Sequence, residues 1–387
     1  MSNNVLTAKD ISEKLNEPEF LFLAREKALN EASSTGTYGL GISAKEAGQT
    51  FPIVENPARY QFENQNNLRV LTFAEAMKDE TIVTELKNNL KIGNSNDGKL
   101  AESFASFGGG IVIVAKKECD VSFEFQSELI TDGSDIIVII AENNSTLRVF
   151  EEVKSEQPLF FGRNIFAVVK ENATLVFAGS VEIPAGSSYF SHKHSQVASE
   201  GKIEWYDLHS GAEMVRSLTE DSLDGPGAVS FVNTLLLCSE EHFDMHNVVR
   251  HNADHTSSHI FARGIAGGGG KVIYRALSDI RPGILNAQSR QDGRFLITNS
   301  GAEVDAIPSL DIAGSESNSS HALSISYLTE KDFFYPALRG IAPYRAQAML
   351  LSGFLSKPLE KLPDEWQTKF IEKINKKLSS PLFRVGE

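Results

Sequence analysis

Hydrophobic and polar positions change their spacing along the chain, and each change predicts a different kind of element. Over residues 10–32 and again over 73–107, apolar residues recur at intervals of three and four. This spacing predicts helices, because such residues share one helix face. The segment between them is rich in Gly, Pro, Ser and Asn and predicts an extended or mobile connector. We therefore expect residues 1–107 to form a helical region with a connector.

From about Ile111 the pattern becomes short runs of Val, Ile and Phe separated by Asp, Asn, Gly and Ser, which predicts strands and turns. Three stretches, beginning at Glu142, Glu171 and Glu200, resemble one another at a spacing of 29 residues. Repeated turn chemistry is typical of a solenoid, whereas a Greek-key sandwich has no reason to repeat it. The pattern favours a β-helix core over residues 108–326, with a sandwich as the alternative.

Residues 327–387 return to a helical pattern. Thr329 with Asp332 three residues on predicts a helix start, and Pro343 suits a first helical turn. A further helix is predicted to begin near Pro363. Two apolar stripes predict two amphipathic helices: Ala346, Met349, Leu350 and Phe354 in the first, and Phe370, Ile371, Ile374 and Leu378 in the second.

Composition narrows the possible functions. The 387 residues carry a formal net charge of −14 without a cluster of Lys and Arg, which argues against nucleic acid and anionic membranes as partners. The N-terminal segment has no apolar run of signal-peptide length, and no later run approaches the ~20 apolar residues of a membrane span. We therefore expect a cytoplasmic protein that binds proteins or small molecules.

Cys119 and Cys238 are the two cysteines of the chain. Two thiols exclude a disulfide framework and are too few to hold an iron–sulfur cluster or a Cys-rich zinc site. Both lie in apolar, strand-like stretches. We therefore expect buried and unreactive thiols.

Four glycines at residues 267–270 precede Lys271, which suggests a phosphate-binding loop. Such a loop needs Ser or Thr after its Lys and a Gly five residues before its last Gly, but Val272 and Ile265 stand there. We expect a plain flexible turn. The sequence also shows no Ser-His-Asp order, paired carboxylates or dinucleotide fingerprint in the context that each requires.

Closely spaced histidines form a second candidate site. On a helix, their spacing would stack imidazoles as a zinc site requires. On a strand, which the surrounding residues favour, His251, His255 and His259 would share one face at intervals of roughly 13 Å. We expect a ladder of polar, partly exposed histidines, with metal binding as the alternative. The five histidines concerned are His242, His246, His251, His255 and His259.

His321 stands apart from the others, between the last predicted strand and the helical tail. Its small neighbours Ser319, Ser320 and Ala322 leave the ring unobstructed. From the pattern alone, the simplest interpretation is a histidine hydrogen-bonded to local backbone. A ligand role is the alternative.

Several stretches between His251 and Phe354 resemble the core of the SufB/SufD family of iron–sulfur cluster assembly scaffolds. They read HNADHTSSHIFARGI, KVIYRALSDI, NAQSRQDGRFLITNSGAEVDAIPSLDI, SSHALSISYLTEKDFFYPALRGI and AMLLSGFL. PEFLFLAREKAL and FASFGGGIVIVAKKECDV are similar to the SufD branch, so a weaker resemblance covers nearly the whole chain. It implies a mainly β fold, a right-handed parallel β-helix flanked by N-terminal and C-terminal helical domains.

The branch of the family can be argued from chemistry. SufB-type subunits carry a cysteine where this chain has Gln291, and glutamine cannot supply a thiolate to iron. They also have Glu where this chain has Ala322. Both differences favour a SufD-like role. The SufD pattern has a cysteine two residues before its histidine, where this chain has Ser319, so His321 is the one site residue that carries over.

The resemblance implies partners and a cofactor. The β-helix would pair with a SufB-like subunit, or with a second copy of this chain, and the C-terminal helices would receive a SufC-type ATPase. His321 would bind metal at that subunit interface, as a ligand or proton handler. We expect the isolated chain to hold no cluster tightly, because the iron–sulfur cluster would be transient at the interface. The protein would be a scaffold and not an enzyme.

Two other functions remain open. One is a self-sufficient homodimeric, SufB-like scaffold, which two cysteines make hard to sustain. The other is a β-helical carbohydrate-active enzyme, which would need paired Asp or Glu on neighbouring coils. No flavin motif is visible, although SufB complexes of the family are linked to a reduced flavin.

Overall fold

The computed structural model describes residues 7–34, 49–63, 65–89, 97–313 and 316–383. Helices lie at both ends of the described chain and strands lie between them. The N-terminal helices are α1 (Ala8–Leu15), α2 (Glu19–Ser34), α3 (Phe73–Ala76), α4 (Glu80–Asn89) and α5 (Gly98–Ser106). The C-terminal helices are α6 (Phe334–Leu338), α7 (Pro343–Ser356) and α8 (Asp364–Leu378), with short 3₁₀ turns at Glu330–Phe333, Lys357–Lys361 and Pro381–Phe383.

Two strands precede the long β region. They are β1 (Ala58–Phe62) and β2 (Leu68–Thr72). The β region itself contains β3 (Gly110–Ala115), β4 (Asp120–Leu129), β5 (Gly133–Ala141), β6 (Thr146–Lys154), β7 (Phe160–Val169), β8 (Thr174–Glu182), β9 (Ser188–Val197), β10 (Lys202–His209), β11 (Met214–Leu223), β12 (Val229–Cys238), β13 (His242–His251), β14 (Ser257–Ala266), β15 (Lys271–Ile280), β16 (Gln288–Ile297), β17 (Glu303–Ile312) and β18 (Asn318–Tyr327).

The strands form two sheets of nine. The first sheet has the order β1-β4-β6-β8-β10-β12-β14-β16-β18, and the second has the order β17-β15-β13-β11-β9-β7-β5-β3-β2. Successive strands alternate between the sheets from β3 onward, and neighbours within a sheet are parallel. This is a β-solenoid of about eight turns. The predicted fold class, mainly β with helices at both ends, is confirmed.

Among the described residues, two strands cap the first coil of the solenoid and none caps its last coil. At the first coil, β1 pairs antiparallel with β4, and β2 pairs antiparallel with β3. At the last coil, β17 and β18 are the edge strands of the two sheets. The segment predicted to be a connector therefore contributes both cap strands, which its weak periodicity did not reveal.

The coil length differs from the 29 residues inferred from the sequence. Thr146 pairs with Thr174, and Thr174 pairs with Lys202, so each coil there takes 28 residues. The matching turn residues Asn144 and Asn172 both have positive φ, at 59° and 54°. The 29-residue spacing was measured between the glutamates that precede these turns. Glu142 lies two residues before Asn144, whereas Glu171 lies one residue before Asn172.

A continuous apolar core fills the solenoid, and each sheet also buries part of its outer face. The N-terminal helices cover the second sheet, where Phe104 and Phe107 pack with Ile136 and Phe166. Strand β5 is therefore buried on both faces, which explains its unbroken run of Ile and Val. The N-terminal helices thus share one apolar cluster with the outer face of the second sheet.

The C-terminal helices cover the first sheet. In α8, the predicted stripe is confirmed, because Phe370, Ile374 and Leu378 are buried against the sheet. In α7 the prediction was partly wrong: Ala346 is buried, but Met349 is 61% exposed. The buried face of α7 instead continues through Leu351 and Leu355, and α7 joins the same cluster.

The two long helices predicted near the N-terminus are each divided. Asn16 adopts the left-handed conformation, with φ 54°, and ends α1 just before Pro18. The described residues of 73–107 form three helices, and Asp97 caps the last of them by accepting from the backbone N–H groups of Lys99 and Leu100. Among the helices described, none is long and apolar enough to cross a membrane.

Candidate functional site: the open end of the solenoid

The last coil leaves an apolar surface uncovered. Ile325 and Tyr327 of β18 pair in register with Phe295 and Ile297, which are buried in the solenoid core. Because register partners share a face of the sheet, Ile325 and Tyr327 face the same side as that core. They are nevertheless 42% and 62% exposed, since no further coil covers them in the part of the chain that the structure describes. Ile312 of β17 is exposed in the same way.

His321 lies on this open end. It is the register partner of Gln291 and is exposed. Ser319 and Leu323 flank it on the same face of β18, and Leu323 packs against the solenoid core. The expectation of a histidine beyond the last strand was wrong, because β18 extends to Tyr327. The described contacts include no hydrogen bond from its ring to local backbone.

The five closely spaced histidines do not all share a strand, although His242, His246 and His251 lie on β13. His251 ends β13 in the second sheet, His255 lies in the following turn with φ 59°, and His259 lies on β14 in the first sheet. The predicted ladder was therefore wrong for His251, His255 and His259, because a turn separates them. His242 and His246, four residues apart on β13, are both partly exposed as predicted. Among the described residues, no group of three or more His, Cys, Asp or Glu side chains is placed to hold a metal ion.

His251 is buried inside the solenoid, and both of its ring nitrogens have partners. Nδ1 lies 2.7 Å from Thr256 Oγ1, and Nε2 lies 2.9 Å from Ser258 Oγ. Burial lowers the pKa of His251 to about 4. The ring is therefore neutral at cellular pH, and both of its nitrogens are hydrogen-bonded to side chains of the protein.

A second histidine group lies on the outer face of the second sheet. His192 Nε2 lies 3.0 Å from Glu220 Oε2, and Arg250 donates to the other carboxylate oxygen at 2.9 Å. Burial alone would raise the pKa of Glu220, but His192 and Arg250 outweigh it and hold that pKa well below its usual range. The group is a buried ion-pair cluster.

Neither cysteine can reach His321. Cys238 ends β12, three strand spacings or roughly 14 Å from β18, and Cys119 precedes β4, seven spacings or roughly 34 Å away. Cys238 is buried as predicted, and burial raises the pKa of its thiol. Cys119 is only half-buried and lies between a turn and β4, so that part of the prediction was wrong. Burial also raises the pKa of its thiol.

The four-glycine segment forms a turn between β14 and β15, as predicted. Gly268 has φ 53° and donates its N–H to Leu382 O, while Gly269 donates to Glu240 at 3.0 Å. A carboxylate and a carbonyl thus occupy the N–H groups that a phosphate would need. The turn also contacts the C-terminal end of the described chain.

Charged side chains inside the solenoid escaped the sequence analysis. Arg163 is fully buried and donates to Asp135 at 2.9 Å, and it also contacts Glu151. Further along, Lys193 pairs with Asp207. The available signal was a charged residue at an inward position of an otherwise apolar strand. These groups are buried and mutually paired.

Carboxylates on neighbouring coils outside the first sheet are also paired. Glu152 and Glu182 accept from Lys373 of α8 at 3.1 and 3.4 Å, and Glu124 pairs with Lys369. These two lysines thus attach α8 to the solenoid. A glycosidase would need two carboxylates facing a sugar, and these three face lysines instead.

A second apolar surface lies on the C-terminal helices. Phe334, Tyr335, Leu338, Tyr344 and Met349 are each between 61% and 68% exposed. They lie within α6 and the first half of α7. We call these five residues the helical patch. Concentrated exposed apolar side chains mark protein interaction sites more often than single exposed ones do.

Comparisons with known proteins agree with this geometry. The family model described as SUF system FeS cluster assembly, SufBD core domain, matches residues 130–354. The chain is 27% identical over 175 residues to an iron–sulfur cluster assembly SufBD family protein of Mycobacterium leprae, covering 45% of this chain and 20% of that protein. A protein of the same description from Staphylococcus epidermidis is 28% identical over 175 residues, covering 45% of this chain and 38% of that protein.

The matched segment thus spans between a fifth and two fifths of these relatives' own length. The family match covers more than half of this chain and includes the open end, His321 and the helical patch. The chain belongs to the SufBD family of iron–sulfur cluster assembly proteins.

Proposed function

We propose that this chain is a SufD-like scaffold subunit, and not an enzyme, of a cytoplasmic SUF iron–sulfur cluster assembly complex. A SufB-like subunit, or a second copy of the chain, covers the open end. A SufC-type ATPase binds the helical patch. The iron–sulfur cluster is the cargo, built at the covered open end with His321 as one of its ligands or as a proton handler.

The open end carries the proposal. Two ten-residue edge strands, β17 and β18, end their sheets side by side, and their inward faces expose Ile312, Ile325 and Tyr327. Exposed edges of this length template pairing with another strand unless something covers them. A partner with a similar solenoid end would continue both sheets and cover the apolar residues together.

The thiol chemistry explains why a partner is needed. Iron–sulfur clusters are usually held by four thiolates, and this chain has two cysteines. Both are far from His321, and burial raises the pKa of each thiol. A neutral imidazole is a suitable nitrogen donor for iron. The remaining ligands would come from the subunit that covers the open end.

Pairing is tested with single substitutions at the open end. Ile325→Asp and Tyr327→Asp place a carboxylate in the proposed interface, and each should abolish co-purification with the partner while the monomer stays folded, because both side chains are already exposed. Leu23→Asp, at a 53% exposed position on α2, is the matched control and should leave pairing intact. Normal pairing in both open-end variants would refute the proposed interface.

The ATPase site is tested on the helical patch. Tyr344→Ala and Met349→Ala together remove two large exposed side chains and should weaken ATPase binding by at least tenfold, as interface anchors do. The partner subunit should still bind, because the patch is separate from β17 and β18. ATPase binding at wild-type affinity would place the dock elsewhere.

A further inference from the structure

A chain of hydrogen-bonded side chains lies inside the last coils, beneath the open end. It begins at His251, whose Nε2 contacts Ser258 Oγ. The hydroxyl of Ser258 lies 3.1 Å from that of Ser289, which lies 2.6 Å from that of Ser278. The four side chains come from β13, β14, β15 and β16. These hydrogen bonds thus link both sheets inside the core.

Gln291 is the last side chain of this hydrogen-bonded series, and its amide has one defined orientation. Nε2 donates to Ser278 Oγ at 2.9 Å and to the backbone oxygen of Ser309 at 2.8 Å. A carbonyl oxygen can only accept, so the amide nitrogen must face Ser309. Both amide hydrogens are then used. The carbonyl oxygen Oε1 is consequently the atom of Gln291 that is left for another partner.

That oxygen is buried and has no hydrogen-bond partner within the described chain. Gln291 is 1% exposed. The hydroxyl of Ser319, on the neighbouring strand, is likewise buried and without a partner there. Buried polar atoms are nearly always paired, with protein or with water, so Gln291 Oε1 and Ser319 Oγ are two open hydrogen-bonding positions beside the open end.

One side chain that can donate to this oxygen is the imidazole of His321, on the neighbouring edge strand. Gln291 and His321 are register partners on adjacent parallel strands, so their side chains start on one face about 5 Å apart. His321 is exposed, and its ring is free to change rotamer until a partner covers it. A neutral imidazole has one N–H to donate and one lone pair.

We propose that Gln291 is a positioning residue for His321, an inference that rests on the proposed function. When the open end is covered, Oε1 of Gln291 accepts the N–H of the His321 ring. The opposite ring nitrogen then faces the partner subunit with its lone pair. Histidine ligands commonly donate their second nitrogen to such an acceptor, which fixes the tautomer and the ring orientation. Ser278 and Ser309 hold the acceptor in place.

The test reads the tautomer of His321 directly. The full chain is labelled with ¹⁵N-histidine and assembled with its partner subunit, without iron, and long-range ¹H–¹⁵N spectra are recorded. The His321 signals are assigned by their loss in His321→Ala. We expect one tautomer in the wild type and a mixture of both in Gln291→Met, which keeps the side-chain length but removes the acceptor. Ser258→Ala is the control: it changes the same hydrogen-bonded series further from His321 and should keep the single tautomer.

Several outcomes decide the inference. A mixture of tautomers in the assembled wild type would overturn it without any variant, so a Gln291→Met chain that fails to fold does not leave it untested. A single tautomer that persists unchanged in folded Gln291→Met would also overturn it. In support, Fe²⁺ affinity of the assembly, measured anaerobically by titration, should fall about 10- to 100-fold in Gln291→Met.

The proposed role of His321 and the positioning role of Gln291 fail in different experiments. If His321→Ala leaves cluster assembly intact, the proposed role of His321 is wrong, whatever its tautomer. If His321→Ala abolishes assembly but Gln291→Met changes neither the tautomer nor the Fe²⁺ affinity, only the positioning role of Gln291 is wrong.

Discussion

Replacing Phe370 by Ala tests whether the C-terminal helices and the solenoid act as one body, which an ATPase needs if it is to move the scaffold interface. Phe370 is fully buried, and its ring centroid lies 5.6 Å from that of Phe150 on the first sheet, in a T-shaped arrangement. Truncating a buried Phe to Ala costs about 3–5 kcal/mol, because packing is lost and a cavity is left. Partly exposed lysine–glutamate pairs, worth about 0–1 kcal/mol each, cannot compensate.

The expected loss is large beside the roughly 5–15 kcal/mol that stabilises a typical native protein. Urea denaturation followed by circular dichroism and by tryptophan fluorescence measures it. Trp205 lies inside the solenoid and Trp366 lies on α8, so a Trp205→Phe background reports α8 alone. In that background, Phe370→Ala should unfold around Trp366 at lower urea than the strands unfold.

Met349→Ala is the control for this experiment, because Met349 is exposed on the adjacent helix and should change stability by less than about 0.5 kcal/mol. A loss below about 1 kcal/mol in Phe370→Ala would refute the reasoning. It would mean that α8 does not depend on its contact with the sheet.

The remaining predictions concern acid stability, the glycine turn and the isolated chain. The pKa of His251 is lowered to about 4, so as pH falls below ~6.5 the unfolded chain binds a proton at this residue that the native chain does not bind, and the free energy of unfolding decreases. In urea titrations, the decrease between pH 7 and pH 5 should therefore be about 2 kcal/mol smaller in His251→Asn than in the wild type. Gly270→Ala should cost about 1–3 kcal/mol, since an added Cβ would lie 2.8 Å from Cys238 Sγ, whereas Gly353→Ala in α7 meets nothing and should be neutral or stabilising in thermal melts. Anaerobic reconstitution of the isolated chain should yield little or no iron–sulfur cluster by visible absorption and iron analysis, and a stoichiometric cluster would contradict the SufD-like assignment.

Periodicity predicted the fold class because a solenoid repeats the same packing problem in every coil. The turn residues Asn144 and Asn172 carry that repeat, since each must adopt a positive φ that asparagine tolerates. The cap strands β1 and β2 were missed because each has five residues and only partial burial, so neither shows a clear alternation. The antiparallel pairing of β1 and β2 with the first coil depends on tertiary contacts, which the local sequence pattern does not specify.

The candidate site was only partly predictable. Resemblance to a family identified His321, but its position on an uncovered edge strand depends on where the coils stop. The role of Gln291 could not be read from the sequence, because its partners Ser278 and Ser309 come from other strands. The closely spaced histidines show the opposite error: nearness in sequence predicted a shared face, and one turn placed His251 and His259 in different sheets.

The proposed role of His321 is tested by His321→Ala in the assembled complex. We expect a folded chain with an unchanged melting temperature, since the ring is exposed, and normal binding of the partner and the ATPase. Cluster assembly, measured as cluster formation and transfer by the purified complex or as complementation in cells, should be strongly impaired. Normal cluster assembly by this variant would contradict the account, and a lowered melting temperature beside it would make His321 a structural residue.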